Sequence, residues 1–231
     1  MKIQKQQAMR NVLKGLLPLC LAAIYFYGWR FAAVLAVVAA VGVLSEFVMA
    51  KKYGLQMTES LFVSVLLFSL SLPPGIPLWI AGLGMMFGIV FGKMVFGGFG
   101  RNIFNPAITA RAFVYISFGV PMTSKFLPAV PSPGNLLPGG FAHWLSPLDS
   151  VSSATPLNTG TGKLGEMIFG FIPGSFGETT AILVVLGGLY IIIKKAANWR
   201  LTVSAISAFL VMQTIFWLAG IRDTVDPIYA L

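Results

Sequence analysis

The run Phe31–Ala50 reads FAAVLAVVAAVGVLSEFVMA, twenty residues of which one, Glu46, is charged. As a helix rising about 1.5 Å per residue, twenty residues span roughly 30 Å, the thickness of a bilayer's hydrocarbon layer. Its apolar residues leave no polar face, so the helix needs an apolar solvent around it. The rest of the chain repeats the pattern. Hydrophobic residues make up 57% of the 231 and charged residues 10%, against about 25% charged in a soluble domain. Such a chain cannot cover its apolar surface with water-seeking groups. It reads as an all-α, polytopic integral membrane helical bundle, a single membrane domain over residues 1–231.

Working outward from Phe31–Ala50, further spanning candidates run from about Asn11 to Trp29, Ile76 to Phe96, Phe176 to Ile193 and Leu201 to Leu218. Two shorter runs are Ser60–Leu72, which stops against Pro73-Pro74, and Pro106–Val120, bracketed by prolines. Proline offers no backbone donor to a helix interior, so it breaks or kinks the run. The reading is therefore about seven transmembrane segments, some of them interrupted. Asn105-Pro106 has the order of an N-cap followed by proline at the first helical position. Ser175-x-x-Glu178 has capping-box spacing and starts the sixth segment slightly ahead of its apolar run.

A net charge of +9 in a soluble protein suggests nucleic acid, but here the basic residues fall between apolar runs and report topology. With a cytoplasmic N-terminus and seven crossings, twelve of the 16 Lys and Arg residues fall inside. Arg30, Lys125, Lys163 and Arg222 fall outside. The first run, preceded by Lys2, Lys5, Arg10 and Lys14, mimics a signal peptide. It has no good small-x-small cleavage site and reads as a retained helix.

The long polar interruption, Pro121 to about Gly174, lands on the outer side by this count and carries Asp149-Ser150-Val151-Ser152-Ser153-Ala154-Thr155-Pro156-Leu157. The nonapeptide holds no strong base, thiol or metal cage. It can present the Thr155 hydroxyl on a turn, where a group can be attached, although Ser/Thr/Pro clusters are more often plain loops. A loop of this length without structure of its own is uncommon unless it is functional. The second informative stretch is Lys93 to Ala107, with Gly97, Gly98, Asn102 and Asn105 at a proline-broken helix junction. Two readings stand side by side. Glycine backbone and neutral asparagine oxygens shape part of an ion path near the cytoplasmic side, or the glycines make a tight packing turn.

Other chemistry-bearing residues read more plainly. Glu46 and Glu59 lie near cytoplasmic helix ends and are expected to reach the interface or pair with Lys51 or Lys52. Cys20, the only cysteine, forms neither an intramolecular disulfide nor an iron–sulfur site and reads as a small buried apolar residue. His143, the only histidine, has no second metal ligand beside it in sequence. No Walker or Rossmann glycine loop is present, and no nucleic-acid partner is expected.

Asp149-x-x-Ser152-Ser153-Ala154-Thr155-Pro156-Leu157 resembles the flavinylation motif of the Rnf D subunit and of the B subunit of the sodium-translocating NADH:quinone oxidoreductase. Gly97-Gly98-x-Gly100-x-Asn102-x-Phe104-Asn105-Pro106-Ala107 with Arg111-Ala112-Phe113 resembles a signature of the same family. So do Leu72-Pro73-Pro74, Gly174-Ser175-x-Gly177-Glu178-Thr179 and Gly187-Gly188-Leu189-Tyr190. The motifs follow in order across nearly the whole chain, and the compact N-terminus with Ala154-Thr155-Pro156-Leu157 favours the Rnf subunit.

The resemblance implies FMN held by a phosphoester to the Thr155 hydroxyl, with Asp149, Ser152, Ser153 and Ala154 completing the motif read by a flavin transferase outside the cytoplasm. It also implies a noncovalent riboflavin, and partners that include another FMN-bearing subunit and iron–sulfur subunits. Electron transfer among them drives Na+ or H+ across the inner (cytoplasmic) membrane. The chain is then active as one subunit of a redox-driven translocase. The family pattern, similar to that of urea transporters, is about ten helices in two similar halves. Residues 1–120 then correspond to a first five-helix half, 121–175 to the outer loop and 176–231 to the start of a second half, shortened where relatives continue into roughly three more helices. A different class of function, a non-redox solute channel or transporter half on the same scaffold, needs no hydroxyl at Thr155. A purely structural membrane subunit needs none either.

Overall fold

In the computed structural model the described residues are 3–123, 174–177 and 181–220. They form helices α1 (Gln7–Tyr27), α2 (Trp29–Tyr53), α3 (Ser60–Leu70), α4 (Leu78–Ile89), α5 (Pro106–Ser117), α6 (Gly119–Thr123), α7 (Ala181–Ile193) and α8 (Trp199–Leu218). A single π-turn, Val90–Met94, extends α4. Two-residue strands β1 (Ile3–Gln4) and β2 (Met57–Thr58) pair in parallel and clasp the N-terminal arm to the entrance of α3. The protein is a polytopic helical membrane protein. Among the described residues α1, α2 and α8 are long and apolar enough to cross a bilayer, and α3, α7 and α4 with its π-turn are shorter apolar helices.

Each apolar run of the sequence contains a helix, but several boundaries move. α3 stops at Leu70, short of Leu72. The helix expected from Ile76 starts at Leu78, after Pro77, and changes to a π-turn before Phe96. Phe176, expected to open the sixth segment, is buried in a turn, and the described helix there begins at Ala181. Glu178, the second half of the expected capping box, lies outside the described residues. The Asn105 N-cap is present: its side-chain oxygen accepts from the Ala107 N–H at 3.0 Å, with Pro106 in the first turn.

Gly28 alone separates α1 from α2, at φ 62° and ψ −150°, a conformation open to glycine and strained for other residues. The core runs through the middle of the bundle on Ala23, Tyr27, Phe31, Val34, Val38, Leu61, Phe68, Ile80, Met85, Ile89 and Val114. α4 packs on both α2 and α5. Gly84, Gly88 and Gly92 recur every fourth residue of α4 and its π-turn, on one face. A Cβ on Gly88 would lie 2.7 Å from that of Ala110, so the α4 and α5 backbones meet without side chains between them. α1 and α7 cross in the same manner at Gly15 and Gly187.

The contacts sort the helix ends into two groups. Tyr27 at the end of α1, Arg30 at the start of α2, the end of α3, Trp79 at the start of α4 and Phe118 after α5 meet one another or the same segment. At the opposite end lie Arg10, the end of α2 with Lys51 and Lys52, Glu59, and Lys93. α7 runs antiparallel to α1, since Gly15 approaches Ile191 while Leu19 approaches Gly187. That places Lys194 and Lys195, which follow α7, at the basic end too.

Candidate functional site

Asp149, Ser152, Ser153, Ala154 and Thr155 lie outside the described residues, as does His143. Their frame is described. The chain enters that segment from α6, whose Met122 is buried, and leaves it at Gly174–Gly177, of which Gly174, Ser175 and Phe176 are buried. Both flanks sit at the end of the bundle away from the basic cluster.

The return flank docks onto a broken helix. An α3 of 11 residues rises about 16 Å, half a bilayer's hydrocarbon thickness. Beyond it Leu72, Pro73, Pro74, Gly75 and Ile76 are buried in turns instead of a helix, the Leu72 and Ile76 N–H groups donating to the Ser69 and Pro73 carbonyls. Irregular backbone at such depth is tolerated only where protein satisfies its polar groups. Here the Phe176 N–H donates to the Leu72 carbonyl at 3.1 Å and the Gly177 N–H to that of Leu70 at 2.7 Å. The buried Arg30 guanidinium donates to the carbonyls of Pro74 (3.3 Å) and Ile76 (2.6 Å). Phe176 packs edge-on to Tyr27 and tilted against Phe31. Thus Leu72-Pro73-Pro74 and Gly174-Ser175-x-Gly177, about a hundred residues apart in sequence, form one buried knot.

At the opposite end the glycine–asparagine stretch makes a surface turn. Gly97, Gly98 and Gly100 all have positive φ, and Gly100, Arg101 and Ile103 to Asn105 are exposed. The Asn102 side-chain oxygen accepts from the Gly100 N–H at 3.2 Å and its amide donates to the Phe104 carbonyl at 2.8 Å. Each asparagine oxygen therefore holds a local backbone N–H, with a second lone pair left for another partner. Asn102 and Asn105 line a cavity of about 290 Å³ with Met9, Ser60, Ser64, Phe99 and Lys93 among its walls. Gly97 and Gly98 stay outside its lining.

Lys93 is the residue whose role the sequence does not disclose. It reads there as one inner-side charge, yet its side chain is 2% exposed and its ammonium donates to Glu46 Oε2 at 2.6 Å and Thr58 Oγ1 at 2.8 Å. Glu46 is fully buried and its other oxygen accepts from the Thr58 N–H at 3.1 Å. Thr58 Oγ1 also lies 2.7 Å from Ser60 Oγ. The expected pairing of Glu46 with Lys51 or Lys52 is corrected. At about 100° per residue those lysines point some 120–140° away from Glu46 and are exposed. Glu59 likewise pairs elsewhere, with Arg10 at 2.7 Å and the Gln6 N–H at 2.7 Å. The Arg10 hydrogen bond, ahead of the Gln6 N–H, holds the Glu59 carboxyl below the usual carboxylate range. Two opposite charges inside apolar runs at the same depth, Glu46 and Lys93, were the available signal.

Cys20 is buried, as expected, and among the described residues no group of His, Cys, Asp and Glu side chains is arranged to hold a metal ion. The family model described as "NQR2, RnfD, RnfE family" matches residues 1–231. The chain is similar to the B subunit of the Na(+)-translocating NADH-quinone reductase of Yersinia pestis, 35% identical over 217 residues, covering 87% of this chain and 48% of that protein. It is similar also to the proteins of the same name from Stutzerimonas stutzeri (33% over 212 residues, 87% and 48%) and Ectopseudomonas mendocina (34% over 212 residues, 87% and 48%). The chain spans about half the length of the curated relatives it matches.

Proposed function

The chain belongs to the NQR2, RnfD, RnfE family, and from that premise we propose that it is a membrane subunit of an Rnf-type complex coupling electron transfer to Na+ or H+ transport, with FMN carried covalently on Thr155. The observation that carries the reading is the placement of the motif's frame. Both flanks of the segment holding Asp149, Ser152, Ser153, Ala154 and Thr155 sit at the end opposite the basic cluster, and cytoplasmic ends are the basic ones. That supports a Thr155 segment on the non-cytoplasmic side of the inner membrane, where a flavin transferase works.

Thr155 supplies the hydroxyl oxygen for a phosphoester, and the residues around it fit that chemistry, with small side chains before it and Pro156 after it. FMN, once attached, supplies one- and two-electron redox chemistry, and a noncovalent riboflavin belongs to the same reading. Asp149 acts in recognition of the segment by the transferase. The knot of Arg30, Leu72–Ile76 and Gly174–Gly177 fixes the segment's return point. Gly97, Gly98, Asn102 and Asn105 shape the cytoplasmic part of the ion path. Electrons reach and leave the flavin through partner subunits, an FMN-bearing one and iron–sulfur ones included.

Co-expression with a flavin transferase, followed by a denaturing gel, tests the flavin reading: wild type fluoresces and Thr155→Val is dark. A dark wild-type band moves the assignment to a non-redox channel half on the same scaffold. For the ion path, Asn105→Ala should leave flavinylated complex that transfers electrons while ion uptake into vesicles falls. Redox rate and uptake falling together with yield would return the stretch to a packing turn.

A further inference from the structure

A groove of about 230 Å³ lies beside the crossing of α1 and α7, toward the basic end of the bundle. Its walls are Lys14, Pro18, Leu183, Leu186 and Tyr190, and the buried Gly15 and Gly187 meet at its base. Along α7 it runs from Leu183 to Tyr190, seven residues or about 10 Å of helix. Its apolar stretch opens sideways to lipid, since Pro18 and Leu186 are exposed.

Charge gathers at the other end of the groove. The described residues contain two carboxylates, Glu46 and Glu59, and these are committed to Lys93 and Arg10. Lys14, Lys194 and Lys195 are exposed and form no ion pair among the described residues. Lys194 Nζ stands 6.0 Å from the centroid of the Tyr190 ring, which brings the charge that follows α7 back to the groove bordered by Lys14. Lys195 closes α7 in a Schellman cap, its N–H donating to the Ile192 carbonyl at 2.9 Å and that of Ala196 to the Ile191 carbonyl at 3.0 Å. Its φ is 54°, a conformation in which glycine is the usual residue. The fold therefore accepts backbone strain to keep a further cation next to Lys194.

We propose that this groove binds an anionic phospholipid of the leaflet at the basic end, with the Lys14 and Lys194 ammonium groups on its phosphate and one acyl chain along Pro18, Leu183 and Leu186. Basic pockets between transmembrane helices suit anionic head groups. A lysine on a membrane helix is least costly when its stem lies along apolar surface and its charge reaches an anion near the interface. A zwitterionic lipid offers the same phosphate but carries its own cation, so it leaves the excess positive charge in place. Free phosphate meets the cations and offers nothing to the apolar wall. α7 packs on the bundle chiefly through α1, so a lipid lodged in their groove fastens α7 and stabilises the fold. The proposal is independent of flavin attachment and of the ion path.

The full chain, purified in detergent and stripped of lipid, is heated with phosphatidylglycerol or with phosphatidylcholine of the same acyl chains. Phosphatidylglycerol should raise the wild-type midpoint by several degrees, and phosphatidylcholine should not. Lys14→Gln/Lys194→Gln should lose most of that gain. Lys51→Gln/Lys52→Gln removes the same charge from the same end of the bundle and should keep it. Equal responses to the two lipids, or equal losses in the two double variants, overturn the proposal. Inorganic phosphate should give no gain; one matching that of phosphatidylglycerol would make the groove a bare anion site and overturn the lipid assignment.

A second readout uses wild type alone and covers a double variant that does not fold. A small amine-acylating reagent, followed by peptide mass spectrometry, is applied to the chain in phosphatidylcholine vesicles with and without phosphatidylglycerol. The negative surface potential of an anionic leaflet acts on every lysine near it, so rates are taken relative to the exposed Lys51 and Lys52. On that scale Lys14 and Lys194 should be labelled several-fold more slowly when phosphatidylglycerol is present. Unchanged ratios overturn the proposal.

Discussion

Gly187 and Gly188 are neighbours in sequence, and alanine should act on them with opposite signs. A Cβ on Gly187 would stand 2.7 Å from the Gly15 carbonyl oxygen and 3.2 Å from Leu19 Cδ1, whereas one on Gly188 meets nothing within 4 Å. Close carbon-to-carbonyl contacts between helices settle at about 3.3–3.6 Å. Gly187→Ala must therefore push α7 from α1 by roughly 0.6 Å or more, and the obstacle is backbone, which cannot rotate away. Overpacking of this kind costs about 1–3 kcal/mol. Alanine's helix preference over glycine returns up to about 1 kcal/mol at either position. The expected net change is a loss of up to about 2 kcal/mol for Gly187→Ala and a gain of about 0.5–1 kcal/mol for Gly188→Ala. Fluorescent fusions of the two variants, heated in one detergent and scored for monodisperse protein, should melt several degrees apart on either side of wild type. Equal midpoints, or Gly188→Ala as the weaker protein, would refute the close α1–α7 crossing.

Three other perturbations have outcomes set by named contacts. Arg30→Met leaves the Pro74 and Ile76 carbonyls buried without their charged donor, so thermal stability should fall by about 2–4 kcal/mol; Arg30→Lys should recover only part, lacking the guanidinium fork. Asn105→Ala removes the α5 N-cap and should cost about 1 kcal/mol in the same melting assay. The Glu59 carboxyl is held below its ordinary value near 4.5, so its stabilising contribution is complete above that pH and is lost as pH falls through the lower folded value. Glu59→Gln should then flatten the stability–pH curve below about pH 4.5 and leave its shape above pH 6 unchanged; an identical acid limb in both proteins would remove the Arg10–Glu59 clasp from the account.

The apolar runs made the helices legible because lipid exposure imposes one demand along each whole segment. Asn105-Pro106 was equally legible, since an N-cap and its proline act within one helical turn. What pairs with what was less so. Glu46 finds Lys93 across 47 residues, and the nearer Lys51 and Lys52 lose because helix geometry turns them away. The Pro73-Pro74 break announced itself, but the partner that satisfies it comes from Gly174–Gly177, and no local pattern encodes that distance. Phe176 reads as the start of a helix because it is apolar; its place in the knot between Tyr27 and Phe31 is a tertiary fact.

The proposed flavin linkage at Thr155 is tested most directly by peptide mass spectrometry on the chain co-expressed with a flavin transferase and digested under denaturing conditions. An FMN-sized adduct is expected on the peptide containing Thr155, localised to that residue by fragmentation, and is lost in Thr155→Val protein that still inserts into the membrane. An unmodified Thr155 peptide from wild type, or the same adduct persisting in Thr155→Val, would contradict it.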